Sequence, residues 1–264
     1  MSVEMVDTAP AAHVAQSRRG RPRGRTAGGR AAQRRLYESA LALIAERGYE
    51  AATLRDVAAR AGVSAALLYR YFPSKRAVVL ALHDELSDDF AAAAATLAPG
   101  RWRDRFVDAL ELELGVLRAH RTTLRALVPM LVSERDDGLL GSRVVGPRAR
   151  VQAVFAQVVA EATDAPPPAL AAALGRVLYM AHVAVVLWWL IDRSPGQRAT
   201  RALVALLRHM LPSGALALRL GPVRGYVMAA DAILGEAMFD EGPDDEMLTG
   251  TGPTPLSATS VSQS

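Results

Sequence analysis

The sequence predicts an all-α protein, and three observations carry that expectation. Apolar residues make up 51% of the chain but aromatics only 5%, so β-branched and aromatic side chains are too sparse for many strands. Apolar positions recur at helical spacing in one run after another. The breaks between runs are helix caps and helix stops: Gly48, Gly62, Pro73, "PGR" at 99–101 and "TDAPPP" at 163–168.

A chain of 264 residues can bury a full core in one domain or two. It has no cysteine, which excludes disulfides, thiolate chemistry and cysteine-ligated metals. The 5 histidines are scattered, and no HExxH, GxSxG or phosphate-loop glycine pattern is present. No catalytic residue, metal or cofactor is therefore expected. No signal-peptide core precedes the first helix, so a cytoplasmic location is expected. The apolar run 177–191 is bounded by Arg176 and Asp192 and interrupted by His182. It is shorter than the roughly 20 residues of a membrane span and reads as a buried helix.

Charge divides the chain. Residues 1–80 hold 14 Lys or Arg against 6 Asp or Glu, a balance of +8, while the remaining 184 residues hold 17 against 21. A basic front on a mildly acidic rear fits a nucleic-acid-binding module joined to something else. The basic front is densest in "RRGRPRGRTAGGR", residues 18–30, whose glycines and proline permit no apolar face. Residues 1–30 are expected to be a disordered basic arm, either a solvated leader or a DNA contact.

Residues 31–80 are expected to form a helical head. The first helix spans 31–47, with Leu36, Ala40, Leu43 and Ile44 on one face and Gly48 at its end. Thr53 can cap a short second helix whose third residue is Asp56, a capping-box spacing. Leu54, Val57, Ala58 and Ala61 make its inner face, and Gly62 supplies the turn. Ser64 caps a third helix on which Leu68 and Phe72 point inward. Pro73 closes that helix, and Ser74 caps the next, which starts at Lys75. Two short helices around a glycine turn describe a helix-turn-helix.

The runs "TLRDVAARAGVS" and "LYRYFPSK" resemble the DNA-binding head of the TetR/AcrR family of transcriptional regulators, densely over residues 33–82. The resemblance implies that residues 64–71, beginning at Ser64, enter the major groove. It implies phosphate-side roles for Thr53, Tyr69, Tyr71 and Lys75, the last being the only lysine in the chain. Ala66 departs from the glycine of many members, and its methyl group bears on how closely the helix approaches the duplex. Among the outward residues Ala65, Ala66, Leu67 and Arg70, only arginine can make a bidentate contact to guanine. Ala65 and Leu67 offer apolar contact to thymine methyls, or Leu67 packs against the first helix. "RGRPRGR" resembles the minor-groove core of AT-hook peptides, which assigns Arg19, Arg21, Arg23 and Arg25 to a narrow A·T groove.

Residues 81–239 are expected to form a helical effector-binding and dimerisation domain. A connecting helix over 75–97 places Val79, Leu82 and Leu86 on one face. A helix from 102 to about 119 turns Phe106, Leu110, Leu114 and Leu117 inward, and another covers about 122–133. "SERDDGLLGS" (133–142) reads as a loop, and helical periodicity resumes over 143–163. Helices at about 169–191 and 196–210 are implied by the resemblance to pair with their copies in a homodimer, the symmetry a palindromic operator requires. The resemblance also implies a small hydrophobic effector. His120, Met130, Phe155, Tyr179 and His182 are its candidate lining, with Arg176, Met180 and Met210 beside them; plain core packing is the alternative for each. A further helix at about 222–239 would pack through Val227, Ile233, Leu234 and Met238. The remainder, 240–264, is rich in Gly, Pro, Ser and Thr and is expected to be disordered. The function expected from these residues is a ligand-responsive repressor, with an effector-free architectural DNA-binding protein as the alternative.

Overall fold

Residues 27–131 and 145–239, those that this computed structural model describes, form helices joined by short turns. They are α1 (Ala27–Arg47), α2 (Leu54–Ala61), α3 (Ala65–Tyr71), α4 (Lys75–Ala94), α5 (Trp102–Leu117), α6 (Arg121–Leu131), α7 (Val145–Ala160), α8 (Pro168–Ile191), α9 (Arg198–Ala217) and α10 (Gly221–Leu234). No strand occurs among the described residues. Arg19, Arg21, Arg23 and Arg25, the stretch 133–142 and the tail from 240 lie outside them.

The caps place the head. Thr53 Oγ1 accepts from Asp56 N at 3.1 Å and donates to Asp56 Oδ2 at 2.8 Å. Ser64 Oγ accepts from Leu67 N, and Ser74 Oγ from Ala77 N. Gly62 sits at φ 64°, ψ 36°, the left-handed turn that glycine adopts without steric cost. Leu36 and Ile44 of α1, Val57 of α2, Leu68 of α3 and Phe72 are all buried together. One boundary differs from the sequence reading: α1 begins at Ala27, inside the stretch read as unfolded. Gly28 and Gly29 fall in its first turn, where backbone N–H groups lack intrahelical partners in any case, and the packed remainder of the helix carries that turn.

α4 leaves the head and enters the second domain, burying Val78, Val79, Leu82, Leu86 and Phe90. α8 lies central there, packed against α7 and α10. Where α8 crosses α7, a Cβ on Gly175 would stand 3.0 Å from Ala156 Cα, so any larger residue would push the two helices apart by a few tenths of an ångström. Phe155 of α7 is wholly buried amid Phe90, Phe106, Tyr179 and His182. The buried Arg105 of α5 donates to the Val158 and Ala98 carbonyls and to Glu161, binding α5 to the end of α7.

Three further differences concern the last helices. α8 has 24 residues and a mean hydropathy of 1.9 over its most apolar stretch, long and apolar enough to cross a membrane, yet half of that stretch is buried within the protein. The helix expected over about 169–191 is the one found, but its apolar stretch extends N-terminally beyond the run read at 177–191, past Arg176, which pairs with Asp231, and Gly175, which packs on Ala156. α9 continues through Pro212 to Ala217 rather than ending at 210. α10 packs through Val227 and is also held by Asp231, buried, which accepts two bonds of 2.6 Å from Arg176. Ile233, expected inward, is 66% exposed.

Candidate nucleic-acid interface and cavity

The helix-turn-helix presents α3 outward. Ser64, Ala65, Ala66, Tyr69 and Arg70 are exposed, and Leu67 is half-buried. Leu67 therefore both packs and shows an apolar edge. Tyr71 is half-buried against the core, with less of its ring available than Tyr69, which is 55% exposed. Thr53 is exposed at the start of α2, but its hydroxyl proton is given to Asp56. Lys75 is engaged in a way its position at a helix start did not reveal. Its Nζ donates to the carbonyls of Tyr49 at 2.7 Å and Glu50 at 3.1 Å and lies 4.6 Å from the Tyr49 ring centre. It thereby holds the turn between α1 and α2 against the start of α4.

The second domain holds a cavity of about 130 Å³. Of the sequence-derived candidates, the structure brings Met130, Tyr179 and His182 to its wall. Phe155 is stacked behind His182, their ring centres 4.6 Å apart. His120 ends the short turn between α5 and α6 and does not line the cavity. Arg176 is bound to Asp231, and Met210 is 60% exposed on α9; neither lines the cavity.

The sequence reading missed one entire wall. Arg76, Val79, Leu80, Leu82, His83, Leu86 and Ser87 of α4 line the cavity opposite residues of α6 and α8. It also missed Glu113, which is 6% exposed with Oε2 2.6 Å from His182 Nε2. Periodicity could have found it, since Glu113 stands seven residues after Phe106, on the inward face with Leu110 and Leu117. Burial pushes the Tyr179 hydroxyl up to about 12, so it stays a neutral donor. Burial likewise holds the His83 imidazole below its ordinary value, against the neighbouring Asp84.

The cavity wall and the head share helices and contacts. α4 runs from Lys75 at the head into the cavity wall. α6, which supplies Leu124, Leu127 and Met130, packs on α1, and Thr123 Oγ1 reaches the Leu41 carbonyl at 3.5 Å. Arg121 ties the start of α6 to the end of α8 by donating to the carbonyls of Trp189 and Asp192.

Large apolar side chains left exposed are concentrated at one end of the chain. Nine of the ten such residues among the described residues, from Trp188 to Ile233, belong to α8, α9, α10 or the turn between the last two; the tenth is Tyr69. Trp189 beside Trp188 is buried, its Nε1 donating to Gln197.

Residues 36–82 match the sequence model of the bacterial regulatory proteins of the tetR family. The HTH-type transcriptional repressor KstR of Rhodococcus jostii is 51% identical over 43 residues, 16% of this chain and 20% of that protein. KstR of Mycobacterium tuberculosis is 42% identical over 71 residues, 24% of this chain and 32% of that protein. The chain thus spans a fifth to a third of the length of these relatives. In three dimensions it resembles the fatty acid degradation regulator FadR of Bacillus halodurans, with a TM-score of 0.54 and 17% identity over 68% of this chain and 94% of that one. That likeness extends the shared fold well past the head.

Proposed function

We propose that this chain, whose residues 36–82 match the model of the bacterial regulatory proteins of the tetR family, is a cytoplasmic transcriptional repressor that binds a palindromic operator as a homodimer and is released by a hydrophobic small molecule. The observation that carries the reading is α4. One helix starts beside the DNA-facing surface and forms a wall of the cavity, with residues from Arg76 to Ser87 along it. A cavity of about 130 Å³ is close to the roughly 150 Å³ that accepts a single benzene ring. A larger apolar body must part α4 from α6 and α8, and that movement displaces the head. An architectural protein without an effector has no use for such a wall.

On DNA, α3 occupies the major groove with Arg70 as its base reader, and the amides at the start of α2 meet phosphate. The arginines at 19, 21, 23 and 25 follow the adjacent minor groove, where narrow A·T tracts concentrate negative potential. The exposed apolar residues of α8 and α9 meet their copies, so that two heads face half-sites about 34 Å apart.

Binding to a set of singly substituted duplexes tests this division of labour. Arg70→Ala should weaken the preferred site by about 1–3 kcal/mol and flatten preference at one base pair of each half-site. Lys75→Ala should weaken every sequence alike, since it supports the backbone-facing turn. Equal loss of base preference from both substitutions would contradict the assignment.

A further inference from the structure

We propose that the cavity recognises its occupant through one uncharged oxygen, a hydroxyl or a ketone, received by the Glu113–His182 pair. This rests on the effector reading above and adds the chemical class of the ligand. His182 is 5% exposed and Glu113 6%, and both line the cavity. Their Nε2 and Oε2 atoms are 2.6 Å apart, but the approach is not directed as a hydrogen bond, and His182 Nδ1 has no hydrogen-bond partner among the described residues. Buried polar atoms left so are costly. Apolar side chains of similar volume generally fill such a place at no loss of stability. Packing alone therefore gives no reason for this pair.

The pair is also held in position. The His182 ring stacks on Phe155 at 4.6 Å and lies 5.7 Å from the Tyr179 ring, so an entering group meets a fixed imidazole rather than a mobile one. Charge then selects the group. A carboxylate, although drawn toward Arg76 and Arg148 in the lining, would at the His182 ring be brought against the Glu113 carboxylate in a poorly screened site. An ammonium would share the cavity with Arg76 and Arg148, which line it and are already engaged within the protein. A hydroxyl or carbonyl oxygen meets neither penalty, and the imidazole can either donate to it or accept from it.

The cavity volume fits one-ring probes, so the test is a fluorine NMR titration of the full chain with 4-fluorotoluene, 4-fluorobenzyl alcohol and 4-fluorobenzoate. The alcohol should bind most tightly and the benzoate most weakly. In the double variant Glu113→Leu/His182→Phe, the alcohol-to-toluene affinity ratio should fall about tenfold, while 4-fluorotoluene binds at least as well as before. The wild-type ranking stands as a test even where the double variant folds poorly. Benzoate binding tightest, or an alcohol preference that survives the double substitution, overturns the proposal. Should 4-fluorotoluene bind and weaken DNA binding without any preference for the alcohol, only the oxygen recognition falls. Should none of the three bind, the effector reading falls with it.

Discussion

Phe155→Ala is expected to destabilise the protein by about 3–5 kcal/mol, the range for emptying a buried phenylalanine site. Phe155 is 0% exposed and touches the rings of Phe90, Phe106, Tyr179 and His182, with centre distances of 4.6 to 6.4 Å. It therefore joins α4, α5 and α8 to α7 at a single point. These neighbours come from three helices and cannot all collapse onto an alanine, so the cost should sit well inside that range. At a fixed protein concentration, thermal unfolding should shift down by about 6–20 °C. Phe155→Leu, which keeps most of the volume, should recover the larger part. A loss under about 1 kcal/mol for the alanine variant would show that the ring cluster does not hold this domain together.

The second large effect is expected at the exposed apolar face. On α9, Thr200, Val204, Leu207 and Leu211 turn inward at helical spacing, and Arg208 reaches Asp108 and Glu111 of α5. Leu206 and Met210 stand one turn apart on another side, 54% and 60% exposed. Replacing both with glutamate removes nothing from the core of one chain, but brings four carboxylates together in a symmetric dimer. Sedimentation should then report a monomer. Affinity for a two-site operator should fall by about 10²–10⁴, because the second head no longer binds as part of the same molecule. A variant that remains dimeric would move the interface to α10 and its exposed Tyr226.

The head was legible in the sequence because its determinants are local. Thr53, Gly62, Ser64 and Ser74 each act on backbone within a few residues, so type and spacing were enough to place the turns. The cavity was legible only in part. Tyr179 and His182 were conspicuous as polar groups in an apolar run, and Met130 as a flexible side chain suited to a cavity wall. Glu113 was not, since an acid between leucines reads as the wet side of an amphipathic helix unless its register is counted. The α4 wall escaped for a different reason. Val79, Leu82 and Leu86 were correctly turned inward, but periodicity says nothing about whether the inward face meets another helix or a void. His120 failed in the opposite sense: a histidine near apolar helices looked like lining, and a short turn carries it away from the cavity. Lys75 shows a third limit, because its carbonyl partners lie 25 and 26 residues earlier in the chain.

The central claim is that occupying the cavity and binding DNA oppose each other through α4. The direct measurement is the affinity of the purified protein for a palindromic duplex selected from random DNA, taken with and without saturating 4-fluorobenzyl alcohol. The account predicts a two-fold symmetric site and at least a fivefold weakening when the cavity is filled, the lower end of the usual range for coupled sites. Affinity unchanged at demonstrated full occupancy would contradict it, leaving a DNA-binding protein whose cavity does not speak to its head.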